Sequence, residues 1–153
     1  MTENVLLFAK HLIDEYKTRE PAEICKSLGI SVCYAELPDA VDGFFMENGQ
    51  SKIIMIKSGL DCIKSKFCLA HELGHALMHK GLNIFFLSES THLQAGRFER
   101  EADLFAAALL IDTDDDNFLA DPERLSHSTG IPQNTLEDYF AHLYTTKNKR
   151  QRV

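Results

Sequence analysis

Two histidines and a glutamate in the middle of the chain have types and a spacing that suit metal-dependent hydrolysis. They form the sequence His-Glu-Leu-Gly-His at positions 71–75. The surrounding residues 67–78 predict a helix, and side chains four residues apart lie on one helical face. His71 and His75 can therefore bind one metal ion, with Glu72 beside them to take a proton from water. The alternative is a buried helix in which both histidines make only local hydrogen bonds.

A metal ion held by two histidines needs a third protein ligand and an open position for water. Residues 98–110 predict a second helix, on which Glu99 and Asp103 share a face because they are four residues apart. This arrangement favours Glu99 as the ligand and Asp103 as the carboxylate that accepts the free N–H of a ligating histidine. Glu101 is the competing ligand, but the residue four positions later is Phe105, which cannot support a histidine. An ordinary amphipathic helix with an acidic first turn is the alternative.

Other polar side chains leave alternatives open. His79 continues the face of His71 and His75 by one turn, and we interpret it as a cap of the helix C-terminus rather than a fourth ligand. Several further side chains could stabilise an oxyanion, and the sequence does not choose among them. These are His92, His127, Tyr139, His142 and Tyr144.

The two helical motifs resemble those of the ImmA/IrrE family of metallopeptidases, and the similarity extends over about residues 20–111. The resemblance implies that His71, His75 and Glu99 bind the metal ion and that Glu72 is the general base. It also implies a partner, since members of this family relieve repression by cleaving a helix-turn-helix repressor. The chain departs from the family pattern in two places: Cys68 stands where threonine is usual, and residues 111–112 stand where a proline is common.

Composition limits the remaining possibilities. A chain of 153 residues with 44% hydrophobic residues predicts a single domain, residues 1–146, followed by a basic, flexible tail, residues 147–153. No apolar run is long enough to span a bilayer, and no signal peptide is evident, so we expect a cytoplasmic protein without membrane contact. The four cysteines form no C-x-x-C pair and are expected to be reduced. The net charge of −7 argues against direct nucleic-acid binding.

The pattern of elements predicts an α+β fold. Helices are expected over residues 3–17 and from Pro21 to about Gly29. Strands are expected at residues 31–35, 43–46 and 52–57, with a hairpin turn at Asn48-Gly49. We therefore predict a small three-stranded sheet packed beside a helical, zincin-like metal-binding core.

Three segments are harder to interpret. Residues 80–97 predict a loop whose apolar patch, residues 84–87, either packs on the core or forms a rim that grips substrate. Residues 112–123 have acidic residues at calcium-loop spacing, although a solvated loop is favoured because Asn117 replaces the turn glycine. Residues 121–143 resemble half of a helix-turn-helix, but the second helix lacks basic residues, so packing beneath the active site is favoured.

The two helical motifs predict a metal-dependent peptidase, and the resemblance to the ImmA/IrrE family implies an endopeptidase acting on a helix-turn-helix repressor. Zinc is the metal that best fits two histidines and a carboxylate, and another divalent ion such as Mn²⁺ also fits. The alternative is a non-catalytic, metal-dependent sensor or anti-repressor that acts by binding alone. The oligomeric state is open.

Overall fold

The computed structural model of the protein describes residues 2–81 and 92–152. Within these residues lie six helices and three strands. In chain order they are α1 (Thr2–Tyr16), α2 (Pro21–Ser27), β1 (Ile30–Ala35), β2 (Gly43–Asn48), β3 (Ser51–Lys57), α3 (Cys62–Met78), α4 (His92–Leu110), α5 (Pro122–Thr129) and α6 (Gln133–Gln151). The predicted α+β class, with a small three-stranded sheet beside a helical core, is confirmed.

The three strands form one mixed sheet in the order β1-β3-β2. β1 runs parallel to β3, and β2 runs antiparallel to β3 with Asn48 opposite Ser51. A hairpin is present where it was predicted, but its two turn residues are Gly49 and Gln50, one position later than Asn48-Gly49, and Gly49 has the positive φ of 61° that such a tight turn requires. Ile54 and Ile56 of β3 are fully buried on the face that receives α3.

α3 is the helix that connects the sheet to the rest of the core. It begins after the N-cap residue Asp61, whose side chain accepts a hydrogen bond from the backbone N–H of Lys64. Leu69, Leu73 and Ala76 are buried along one side of the helix. Because α3 contacts both the sheet and α4, it fixes their relative positions.

α4 is longer at its N-terminus than the sequence pattern predicts. The helix begins at His92, so the prediction of a loop is wrong for residues 92–97. These residues include Gly96 and lack apolar periodicity, but Arg97 and Glu101, one turn apart, form an ion pair that supports the first turns. The apolar patch at residues 84–87 lies outside the described residues.

The first helix packs against α4. Val5, Ala9 and Leu12 of α1 are buried, and the ring centroids of Phe8 and Phe105 lie 6.0 Å apart. Arg19, between α1 and α2, holds the C-terminal end of α4. Its guanidinium donates hydrogen bonds to the carbonyl groups of Ala108, Leu109 and Ile111 and to the side chain of Asp112.

The last two helices pack against α4 and α3. α5 follows the N-cap residue Asp121 and ends at Gly130, which has a φ of 73°. α6 buries Leu136, Tyr139 and Phe140 and continues to residue 151, through most of the predicted tail. The domain boundary at residue 146 and the flexibility of the tail stay predictions. No helix within the described ranges is long and apolar enough to cross a membrane.

Candidate metal centre

The fold brings together the three residues that the sequence suggests as metal ligands. His71 and His75 lie on the second half of α3, and Glu99 lies on α4. The Nε2 atoms of the two histidines are 3.0 Å apart. Each also lies 3.2 Å from an oxygen of Glu99, Oε2 for His71 and Oε1 for His75.

These distances fit a divalent metal ion. Ligand atoms bonded at about 2.0–2.1 Å to a tetrahedral zinc ion lie about 3.3–3.4 Å from one another, close to the separations seen here. The side chain of His75 is 2% exposed and that of Glu99 is 47% exposed, so the centre opens on the glutamate side. Within the described residues these three form the only group suited to a metal. The acidic residues 112–123 do not converge in this way, so the calcium alternative finds no support.

A glycine lets the two ligand-bearing helices approach closely. A Cβ atom at position 74 would lie 3.0 Å from Cδ1 of Phe105 and 3.3 Å from the backbone Cα of Ala102, both on α4. These separations are shorter than ordinary carbon–carbon contacts of about 3.5–4.0 Å. Gly74 lies next to His75, and Ala102 lies one turn after Glu99. The missing side chain therefore sets the distance across the centre.

Asp103 holds the ring of His71. Its Oδ1 lies 2.8 Å from Nδ1 of His71, and its Oδ2 lies 3.5 Å from the hydroxyl of Thr135 on α6. A carboxylate that accepts the Nδ1–H leaves the Nε2 lone pair facing the centre. Thr135 thus places the start of α6 beneath the site, as expected for a packing role of this segment.

The charges of the centre attract a cation. Burial by itself lowers the pKa of His71, but hydrogen bonds to Asp103 and Glu99 raise that pKa to about 10. Burial by itself raises the pKa of Glu99, but hydrogen bonds to His71 and His75 hold it well below its usual range. The carboxylates thus stabilise positive charge at the point where the donor atoms converge.

Glu72 lies beside the centre and is not one of the converging groups. It is only 8% exposed, and it lines the same cleft as His71 and His75. Burial raises the pKa of Glu72 to about 7, with the nearby charge of His71 acting in the opposite direction. A carboxyl group with this pKa can both accept and return a proton near neutral pH.

The sequence argument considered Glu101 only as a competing metal ligand. Glu101 does have a histidine partner: its Oε2 lies 2.9 Å from Nε2 of His79. His79 is the C-cap residue of α3, as predicted, but its Nδ1 lies 2.8 Å from Nδ1 of His75. The sequence does contain a signal for this contact. His79 continues the four-residue spacing of His71 and His75, and Glu101 lies two residues before Asp103.

The centre opens into a cleft of about 590 Å³. One wall is formed by residues 40–45, which lead into and begin β2, and the opposite side by α3 and the residues around Pro132. Cys68 also lines it, and burial raises the pKa of this thiol to about 12. Of the oxyanion candidates, the four with described side chains (His127, Tyr139, His142 and Tyr144) are not among the described lining residues.

The fold and the site together define a class of protein. Two helices bring a His-Glu-x-x-His motif and a distant glutamate to one point, beside a small sheet, and so form a helical metal centre. Within this class, residues 25–149 match the model of the IrrE N-terminal-like domain, a peptidase family, and the chain belongs to that family. The predicted resemblance to the ImmA/IrrE family is thereby confirmed. Membership of a metallopeptidase family implies a divalent metal ion, which the residues of the centre fit.

Two relatives are similar over much of the chain. The chain is 35% identical to "Uncharacterized immunity region protein 2" of Bacillus phage phi105 over 102 residues, which cover 67% of this chain and 65% of that protein. It thus spans a little under two thirds of the length of this relative. It is 27% identical to "Metallopeptidase ImmA" of Bacillus subtilis (strain 168) over 129 residues, which cover 84% of this chain and 73% of that protein.

Proposed function

We propose that this protein is a zinc-dependent endopeptidase that hydrolyses a peptide bond in a helix-turn-helix transcriptional repressor and so relieves repression. The observation that carries the proposal is the convergence of His71, His75 and Glu99 at one point, with Glu72 beside them in the same cleft. Mn²⁺ is the alternative metal, because a mixed nitrogen and oxygen ligand set accepts several divalent ions.

In this proposal the three converging side chains are the metal ligands. Two imidazoles and one carboxylate leave a further position for water or substrate, as in catalytic rather than structural zinc sites. When bound, the metal ion acts as a Lewis acid, which lowers the pKa of water and polarises the carbonyl group of the substrate. Asp103 orients His71 through the 2.8 Å contact at Nδ1, so that Nε2 is directed to the metal ion.

Glu72 is the proposed general base. It accepts a proton from the attacking water molecule and later returns it to the leaving amine. Its burial supports this role, because a carboxylate removed from solvent is a stronger base than an exposed one. The pKa of about 7 places the change of protonation close to neutral pH.

The wall of the cleft supports an extended peptide as the substrate. β2 pairs with β3 along one edge, and no other described strand pairs with it. Gly43, Phe44 and Phe45, at the start of β2, line the cleft. An extended segment can add to a strand edge through backbone hydrogen bonds, which suits an endopeptidase acting within a chain.

The repressor is proposed from the family and the relatives. One of the two relatives is named as a phage immunity region protein and the other as a metallopeptidase. These names connect proteins similar to this chain with phage immunity and with proteolysis. Repressors act on DNA inside the cell, so the proposal places this protein in the cytoplasm. It requires neither direct nucleic-acid binding nor membrane contact by the protein itself.

Cleavage of a purified repressor is the test. The full chain, loaded with Zn²⁺, is incubated with a candidate helix-turn-helix repressor from the same genome, with and without EDTA. Glu72→Gln keeps the size of the side chain and removes the base. We expect it to bind zinc stoichiometrically and to cleave about 10²–10⁴-fold more slowly. Glu36→Gln makes the same chemical change at an exposed position and serves as the matched control.

The same variant separates hydrolysis from binding alone. A binding-only anti-repressor would relieve repression equally well with Glu72→Gln, because nothing in complex formation requires a base. That result, together with an uncleaved repressor in the wild-type reaction, would exclude the peptidase.

A further inference from the structure

A run of hydrogen-bonded polar side chains leads away from Nδ1 of His75, on the other side of the ring from Nε2 and the converging donor atoms. Nδ1 of His75 lies 2.8 Å from Nδ1 of His79, and Nε2 of His79 lies 2.9 Å from Oε2 of Glu101. Arg97 donates a hydrogen bond of 3.0 Å to the other oxygen of Glu101. The side chain of His79 is 2% exposed and that of Glu101 is 18% exposed. We call these two residues the His79–Glu101 pair.

Metal binding by His75 assigns every hydrogen in this run. If Nε2 of His75 is a ligand, its proton is on Nδ1, and this N–H must donate to Nδ1 of His79. The proton of His79 is then on Nε2, where it donates to Glu101. If His79 instead donated to His75, the proton of His75 would occupy the ligand position at Nε2. When His79 carries its single proton on Nε2, the hydrogen bonds fit one arrangement, in which the lone pair of His75 is free for the metal ion.

The pair is also held in place by packing. The ring centroids of His79 and His75 lie 5.0 Å apart, and those of His79 and Phe98 lie 4.6 Å apart. Phe98 directly precedes Glu99 on α4. The His79 ring, which contacts the proposed ligand His75, thus packs against the residue that precedes the proposed ligand Glu99.

We propose that the His79–Glu101 pair positions His75 for metal binding, as Asp103 positions His71. This inference rests on the proposed function only in taking His75 as a metal ligand. The acceptor next to His75 is a neutral imidazole, and the carboxylate acts one residue further away by polarising that imidazole. Loss of the imidazole should therefore weaken the site more than loss of the charge on Glu101.

The test measures metal affinity in three variants of the full chain. His79→Leu removes the acceptor, and we expect Zn²⁺ affinity, measured by competition with a chromophoric chelator, to fall by about 10–100-fold. His79→Asn places an amide oxygen where Nδ1 was, and we expect it to restore most of that affinity. Glu101→Gln keeps the size of the side chain and should give a smaller loss. Arg100→Ala is the matched control, because Arg100 lies on α4 like Glu101, and the substitution breaks its ion pair with Asp138 of α6 and leaves the run intact.

A second readout separates positioning from general support of the fold. The absorption bands of Co²⁺ bound to the protein report the ligand geometry, and we expect them to change in His79→Leu and to recover in His79→Asn. If both variants unfold more easily without metal, yet bind Zn²⁺ and Co²⁺ as wild type does, the positioning role is wrong. Should His79→Leu fail to fold, His79→Asn and Glu101→Gln decide the question by the same two measurements.

The outcome is distinguishable from failure of the proposed function. A protein that binds Zn²⁺ with the expected order of affinities and cleaves no repressor would support the positioning role and contradict the peptidase. A wild-type protein that binds neither Zn²⁺ nor Co²⁺ would contradict both. Stoichiometric Zn²⁺ in wild type, lost in His75→Ala and unchanged in every variant of the pair, would contradict the positioning role alone.

Discussion

Replacing Gly74 by alanine tests whether the close approach of α3 and α4 sets the geometry of the candidate metal centre. The added Cβ would lie 3.0 Å from Phe105 Cδ1 and 3.3 Å from Ala102 Cα. Carbon atoms prefer separations of about 3.5–4.0 Å, so the helices must move apart by roughly 0.5 Å. The ring of Phe105 can turn to relieve part of the contact, but the backbone of Ala102 moves only with α4. The substitution therefore shifts Glu99 relative to His75.

Stability and metal affinity should respond differently. Alanine is about 1 kcal/mol more favourable than glycine inside a helix, whereas overpacking costs about 1–3 kcal/mol. We expect the metal-free protein to lose about 0–2 kcal/mol of unfolding free energy. A site must hold its ligands within about 0.5 Å of the productive geometry, so Zn²⁺ affinity should fall about tenfold or more.

Gly96→Ala provides the control for this experiment. Gly96 lies on α4, and a Cβ there would meet no atom of the described part of the chain within 4 Å. The helix preference acts alone at this position, so urea unfolding should show a gain of about 0.8–1.0 kcal/mol with unchanged Zn²⁺ affinity. The reasoning is refuted if Gly74→Ala also stabilises the protein and leaves the affinity for Zn²⁺ as it was.

Three further outcomes are expected. Glu99→Ala should abolish stoichiometric zinc, measured by elemental analysis, because it removes one of three proposed protein ligands. Retained zinc would contradict that assignment. Asp103→Ala should weaken Zn²⁺ binding by about 10–100-fold, and Asp103→Asn by less, since an amide oxygen still accepts the N–H of His71. Burial raises the pKa of the Cys25 and Cys68 thiols to about 11 and about 12. At about pH 8, iodoacetamide should therefore alkylate the folded protein at its exposed cysteines alone, as peptide mapping would show. The exposed cysteines are Cys33 and Cys62.

The regular parts of the fold could be predicted because their signals are local. The hairpin follows from Gly49, which adopts positive φ, and the start of α2 follows from Pro21. The common face of His71 and His75 follows from helical spacing alone. Each of these features depends on residues that are close in sequence, so one sequence is enough to predict it.

The features that could not be predicted depend on contacts between distant segments. The contact between Glu101 and His79 was not predicted, because His79 lies 22 residues earlier on another helix. The start of α4 at His92 was missed because residues 92–97 carry no apolar stripe. In the sequence, Gly74 is only a residue that is unfavourable in a helix. The close contact between the helices that it allows is visible only where α4 crosses α3.

The contacts of Arg19 and α1 determine where a shortened form of this protein can begin. The family model matches from residue 25, yet α1 covers Phe105 and the guanidinium of Arg19 binds three carbonyl groups at the end of α4. A fragment beginning at residue 25 would keep every proposed ligand and lose both supports of the helix that carries Glu99. We expect such a fragment to expose an apolar surface and to aggregate. We therefore expect the smallest part of this chain that folds on its own to begin before residue 25, where the match to the family model begins.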